Sequence, residues 1–358
     1  MPVTKRKVFY LSGFDPRGAR HYYQWYRDAA ARYTGLTAEP IEVSPREGDR
    51  WTITHHSAHV ATEYHFLAWD DIVRKAWIRN PLMLVLRCLG MYGYYIRHFR
   101  WHYKLQLPRP PLITFFSPLA ILLAVPFGLS LLGWIILPYW AALSLGIAAS
   151  IPFASRLKSL WLLRLLLYNT AVAKAHTPDL MKRIDQFAES IGKALADGTD
   201  EILLVGHSNG AILMIYLLDR LLAQTGGTLP PQLRVLTLGQ CIPIISVLDN
   251  AADFSAALSR VAQVPLYWCD IVAPPDGAAY ARTSPFFPDH PHHAATLVLL
   301  NPRFFDYHTP EHYQRLRRDR HRFHFRYLMT GDAPSPLDYV ALTAGANTLV
   351  ESVAEFQR

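Results

Sequence analysis

The chain is short of charge and of cysteine. Charged residues make up 18 % of its 358 positions, below the ~25 % usual for soluble globular proteins, while hydrophobic residues reach 51 %. The deficit is local: from Pro110 to Ser155 no side chain carries a charge. The alternative, a buried core helix, rarely runs so long without one, so this stretch reads as built for a bilayer. Cys88, Cys241 and Cys269 are odd in number and far apart, which excludes a disulfide framework and a zinc-finger spacing. The opening residues, MPVTKRKVFYLSGFDPRG, hold no long apolar core or small-residue cleavage site. No secretory signal is expected there, and the N-terminal part is assigned to the cytoplasmic side. No internal repeat or low-complexity segment is evident.

A membrane-spanning helix takes ~20 apolar residues at a rise of about 1.5 Å each. The uncharged run supplies enough for two, at about 112–132 and 134–153, with Pro126, Gly128, Gly133 and Pro138 as places to bend or turn. Basic residues flank both outer ends: Arg97, Arg100, Lys104 and Arg109 before, Arg156, Lys158 and Arg164 after. The positive-inside rule then places both ends in the cytoplasm and makes the run a hairpin anchor. The net charge of +8 fits contact with anionic headgroups. The basic, aromatic stretch HYQRLRRDRHRFHFR is expected to be a solvated or headgroup-facing helix, since no nucleic-acid-binding module accompanies it. Segments 81–101 and 156–168 mix Leu, aromatic and basic residues and read as interfacial helices, although Trp161–Leu167 reads equally as core.

Outside the hairpin the pattern alternates. A strand over Val8–Leu11 runs into a turn with Gly13, Pro16 and Gly18, and a helix is expected from about Ala19 to Tyr33. Short strands follow between 37 and 70. Thr177 is placed to cap a helix that starts at Pro178, with Gly198 as its stop. Beyond it come strand candidates at Ile202–Val205, Leu233–Leu238, Val264–Trp268 and Thr296–Leu300. Strands alternating with helices predict an α/β fold with a mostly parallel, helix-covered sheet. The expected organisation is residues 1–80 and 169–358 as two parts of one α/β domain, with 81–168 as a membrane insertion.

The stretch EILLVGHSNGAILM holds G-x-S-x-G as Gly206, His207, Ser208, Asn209 and Gly210. A serine becomes a useful nucleophile when it is exposed to substrate and a base takes its proton. A sharp turn from an apolar strand into a helix presents it, and the two glycines let strand and helix approach. Motif and context together resemble the α/β-hydrolase superfamily, in particular its membrane-associated lipases and esterases. The resemblance covers the first ~35 residues and roughly 170–310.

It implies a Ser–acid–His order along the chain. Asp270, in the D-x-V-x-P-like DIVAP, is then the expected acid, with Asp276 as its competitor; Asp270 read plainly is a turn or cap residue. His308 is the first histidine downstream of the last strand and the expected base, with His324 as the alternative. His312, His321 and His324 are expected on one helix started by Pro310. Oxyanion donors are expected at the backbone of Asn209 and of Phe14, beside Gly13, although LSGFDPRG departs from the family's His-Gly or HGGG pattern. Arg17 reads either as a phosphate partner or as a surface turn residue. The function implied is a membrane-anchored serine hydrolase acting on a lipid ester. An acyltransferase with the same triad, or a non-catalytic scaffold of the same fold, are the alternatives. The DHPHH stretch at 289–293 lacks a partner cluster, so neither a metal nor another cofactor is expected.

Overall fold

Strong apolar alternation produces the sheet. In the computed structural model, which describes residues 3–358, β1 (Lys5–Leu11) is followed by α1 (Ala19–Thr37), β2 (Ile41–Val43), β3 (Arg50–His55) and β4 (Val60–Phe66). Six helices then come in succession: α2 (Asp70–Ala76), α3 (Pro81–His98), α4 (Arg109–Gly133), α5 (Tyr139–Arg156), α6 (Ser159–Ala173) and α7 (Pro178–Ala194). Next are β5 (Glu201–His207), α8 (Asn209–Gln224), β6 (Leu233–Leu238), α9 (Pro243–Ser246), α10 (Ala252–Ala262), β7 (Tyr267–Ile271) and β8 (Thr296–Leu300). The chain closes with α11 (Pro310–Arg318), α12 (Arg320–His324), α13 (Tyr339–Ala344) and α14 (Leu349–Gln357).

The eight strands form one sheet in the order β2-β3-β4-β1-β5-β6-β7-β8. From β4 to β8 every pairing is parallel, and β2 and β3 form an antiparallel edge. Alternate residues of the strands serve two cores. Phe9, Leu11, Ile202, Leu204 and Val235 face one, with α3, α6, α7, α8 and α10; Val8, Tyr10, Leu203, Val205 and Leu236 face the other, with α1, α13 and α14. The expected α/β class, with a mostly parallel sheet flanked by helices, is what the chain forms.

Helix boundaries refine the sequence reading. α7 does begin at Pro178, but Thr177 makes no side-chain cap, and its hydroxyl is buried without a partner. α6 is largely a core helix, not an interfacial one: Leu163, Leu165, Leu166, Asn169 and Val172 are buried. The helix expected from Pro310 breaks at Asp319, whose carboxylate caps α12 by accepting from the Arg322 N–H at 2.9 Å.

α4 and α5 pack antiparallel over small residues, with Gly133 against Ala142 and Gly146 against the Pro126 backbone. Their outward apolar side chains, including Phe127, Leu132, Trp140 and Ile147, are exposed, as are Ile135 and Ile136 in the turn between them. Of the two, α4 alone is long and apolar enough to cross a membrane; α5 reaches that only together with α6, from which it is bent by 80°. The turn between α4 and α5 falls at residues 134–138, so the second helix starts about five residues later than expected.

At the opposite end of the sheet from the strand C-termini, Arg6 and Glu201 form a buried ion pair at 2.7 Å. Arg6 also donates to the carbonyls of Gly345 (2.8 Å) and Asn347 (2.7 Å), while Glu201 accepts from the Leu349 N–H at 2.7 Å. The pair thereby ties the C-terminal helices to β1 and β5. Arg6→Met is expected to cost about 3–5 kcal/mol, because it strands a buried carboxylate. Adding Glu201→Leu should recover much of that loss. Chemical denaturation of the two variants checks this, and equal stability of Arg6→Met and the parent would disprove it.

Candidate active site

Parallel pairing brings two loops to one edge. Leu11 at the end of β1 lies in register with Gly206 near the end of β5, so the loops after both strands emerge side by side. Ser208 occupies the turn between β5 and α8 with φ 55° and ψ −120°, a strained conformation for a residue with a side chain, costing about 1–3 kcal/mol. Two glycines make the turn feasible. A Cβ on Gly210 would overlap the Leu11 carbonyl, and one on Gly206 would sit 3.1 Å from the Ala211 backbone. The Ser208 N–H donates to the Leu238 carbonyl at 2.9 Å, which fixes the elbow to β6.

The loop after β1 closes on the serine. A Cβ at Gly13 would stand 3.1 Å from Ser208 Cβ and 3.4 Å from its Oγ. Phe14 is buried among Trp69, Trp77 and Tyr168, and its carbonyl accepts from Trp161 Nε1 at 3.2 Å. Among the described residues the N–H groups of Gly13 and Phe14 have no acceptor. Asn209 is the first residue of α8, so its N–H has no partner within the helix. Its side chain is locked by a reciprocal amide pair with Asn169 of α6, at 2.8 and 2.9 Å. Arg17 is not a free cation: Asp15 binds its guanidinium, at 2.6 Å for the closest contact, and Trp25 and Phe325 cover its faces.

The expected Asp270–His308 pair is not formed. β7 runs to Ile271, three residues past its expected end, which puts Asp270 inside the sheet opposite Thr237. There it accepts from the Thr237 hydroxyl at 2.6 Å and bonds to no histidine. Burial pushes its carboxyl up to about 8, against a smaller downward pull from the Thr237 hydrogen bond. His308 is occupied elsewhere. Its Nδ1 donates to Asp332 at 3.2 Å, and its Nε2 accepts from Arg326 Nε. Burial and the Arg326 charge hold this imidazole down to about 4.

The aspartate that does meet a histidine is Asp276, in the loop beyond β7. His324 Nδ1 donates to its Oδ2 at 2.8 Å, with side chains 3 % and 1 % exposed. Tyr327 donates to the same oxygen at 2.9 Å, and the Ala278 N–H to Oδ1 at 3.0 Å. Burial acts to raise the Asp276 carboxyl, but the His324 charge and these hydrogen bonds outweigh it and hold the group below its usual range. His324 Nε2 has no partner among the described residues.

The neighbour of the serine holds this histidine. His207 Nε2 donates to the His324 carbonyl at 2.9 Å, and the two rings lie 5.0 Å apart. Burial and the nearby His324 push His207 down to about 3, so it is a neutral positioning group. No side-chain hydrogen bond joins Ser208 to a histidine among the described residues. Ser208 lines a throat of about 20 Å³, walled by Thr114, Trp161, Leu162, Gly277, Ala278 and Tyr280 among others.

One cluster escaped the sequence reading because Asp332 lies about twenty residues or more from its two histidines. His308, His312 and Asp332 offer ligand atoms within 4.8 Å of one another, the arrangement a metal ion takes. Arg326, however, donates to His308 Nε2, which leaves the proton on Nδ1, the nitrogen facing Asp332. A metal there needs that nitrogen bare. The cluster therefore works as a hydrogen-bonded clamp on the loop. Comparison with protein families, curated proteins and solved structures finds no match to this chain.

The burial of Asp270 has a measurable consequence. An unfolded aspartate loses its proton near 3.8 and the folded Asp270 near 8. Between these values the unfolded state has released the proton and the folded state retains it. Stability from this group is thus full below pH 3.8 and falls as pH rises toward 8. Asp270→Asn keeps an acceptor for Thr237 and should remove that decline, which melting temperatures across pH 4–8 would reveal. An unchanged pH profile would count against the buried, neutral acid.

Proposed function

We propose that the chain is a membrane-anchored serine hydrolase of the α/β-hydrolase type that cleaves a lipid ester. The observation carrying this reading is the strained Ser208 turn set beside a buried Asp276–His324 pair whose backbone is tied to His207. In the mechanism, Ser208 Oγ attacks the acyl carbon while His324 Nε2 takes its proton. Asp276 holds the imidazole in the tautomer with Nδ1 protonated and stabilises the imidazolium that forms. The N–H groups of Asn209 and Phe14 receive the developing oxyanion. His324 then gives its proton to the departing alkoxide, leaving an acyl-Ser208. Water, deprotonated by the same imidazole, releases the acid and restores the serine.

A membrane location supports the lipid substrate. The α4–α5 hairpin exposes apolar side chains that water does not favour. At 25 and 18 residues, its helices are about 37 and 27 Å long, against a hydrocarbon core of about 30 Å. Basic residues at both of its ends support a cytoplasmic position for the α/β domain.

A fluorophosphonate probe should label Ser208, and Ser208→Ala should abolish labelling. Asp276→Asn should slow labelling by about 10³–10⁴-fold, as expected when the histidine loses its orienting carboxylate. Asp270→Asn should label at nearly the parental rate. If intact protein takes no label, the enzyme reading fails in favour of a scaffold. For the anchor, the protein should remain with membranes after alkaline carbonate washing; release into the wash would defeat the hairpin assignment.

A further inference from the structure

Ser208 sits between two cavities of opposite character. On one side the throat shares Thr114, Trp161, Leu162, Gly277 and Ala278 with a chamber of about 690 Å³ that His324 also lines. On the other it shares Phe115, Ile244 and Tyr280 with a groove of about 370 Å³. The groove wall is almost wholly apolar, with Tyr95, Phe99, Leu112 and Phe116 among its residues and Lys104 its only charge among the described residues.

The chamber instead carries charge. Arg156, Lys158, Arg315, Arg318 and Arg320 converge on it from the end of α5 and from α11 and α12, with Asp319 the only acid in its wall among the described residues. None of the five cations forms an ion pair among the described residues, and Asp319 caps α12. Several arginines elsewhere are neutralised, as Arg6 is by Glu201, Arg17 by Asp15, Arg183 by Asp71 and Arg260 by Asp219. Gathering cations around one cavity without counter-charge raises a strong positive potential there. A phosphate group relieves it, and guanidinium forks match its oxygens in paired hydrogen bonds.

We propose that the substrate is a phosphate-bearing acyl lipid, with its phosphate head in the basic chamber and its acyl chain in the apolar groove. The ester carbonyl then lies in the throat at Ser208. This rests on Ser208 being the acylated residue. The order of the parts along the lipid matches the order of the cavities, since the ester of a glycerophospholipid joins the tail to the headgroup. α4 makes the arrangement: Thr114 lies so close over the acid's loop that a Cβ on Gly277 would come within 2.7 Å of its Oγ1. The helix that enters the membrane thus roofs the site, and a lipid reaches head chamber and tail groove from the same interface.

The test is calorimetric titration of full-length Ser208→Ala protein in uncharged detergent, where no turnover occurs. The ligands are dihexanoyl phosphatidate, dihexanoylglycerol and inorganic phosphate. Phosphatidate should bind at least about tenfold more tightly than either of the others, because both halves of the site contribute. The triple variant Arg315→Ala, Arg318→Ala, Arg320→Ala should lose that advantage, while the triple Lys version keeps most of it, both melting like the parent. Equal binding of phosphatidate and the neutral glyceride overturns the proposal, as does an undiminished advantage in the Ala variant. Inorganic phosphate binding as tightly as phosphatidate overturns the lipid and leaves a free-anion site. Titration and probe labelling separate the two readings: a chain that binds phosphatidate but takes no fluorophosphonate keeps the lipid site and loses the hydrolase.

Discussion

Everything at the candidate site depends on how closely α8 approaches β1. Gly210 lies against the Leu11 carbonyl with no room for a side chain, and that contact fixes where the elbow turns. Because β1 and β5 run parallel and in register, it also sets the loop containing Gly13 and Phe14 against Ser208. Backbone strain at Ser208 is tolerated because its N–H is held by Leu238 and its neighbour Asn209 by Asn169. The serine is therefore over-determined from three directions: the sheet below, β1 beside it and α6 above.

The second half of the site comes from far along the chain. Asp276 lies in the loop after β7 and His324 at the end of α12, and neither is positioned by the elbow strand itself. His207 joins the halves. Its imidazole, kept neutral by burial, donates to the His324 carbonyl and so couples the turn that carries the serine to the turn that carries the histidine. A second link runs from the loop after β1, where Arg17, neutralised by Asp15, stacks on Phe325. These contacts give the unusual LSGFDPRG loop a structural role. Its Asp and Arg serve each other and the neighbouring aromatic rings.

The hairpin and the α/β domain are not merely joined end to end. The beginning of α4 lies over the loop of Asp276, and α6, which leaves the hairpin, supplies Asn169 to the elbow. Insertion between β4 and β5 is what permits this, because the chain leaves and re-enters the domain near the C-terminal edge of the strands.

Much of this was written locally. The uncharged run, the G-x-S-x-G turn and the alternating strands are short-range patterns, and each declared its element because polarity and backbone freedom act over a few residues. Ser208, Gly206 and Gly210 were legible for that reason. The buried Asp276–His324 pair was not. Asp270 and Asp276 stand six residues apart in one segment, and which of them meets a histidine turns on whether β7 ends before or after Cys269. The backbone pairing with β6 carries the strand to Ile271, buries Asp270 against Thr237, and leaves the next loop to deliver Asp276. Among the histidines, only tertiary packing occupies both nitrogens of His308 while leaving Nε2 of His324 without a partner. Composition and local pattern thus determined the class of fold and the place of the turn. Long-range pairing decided the carboxylate and the histidine, because desolvation and hydrogen bonding are set by what the rest of the chain brings near.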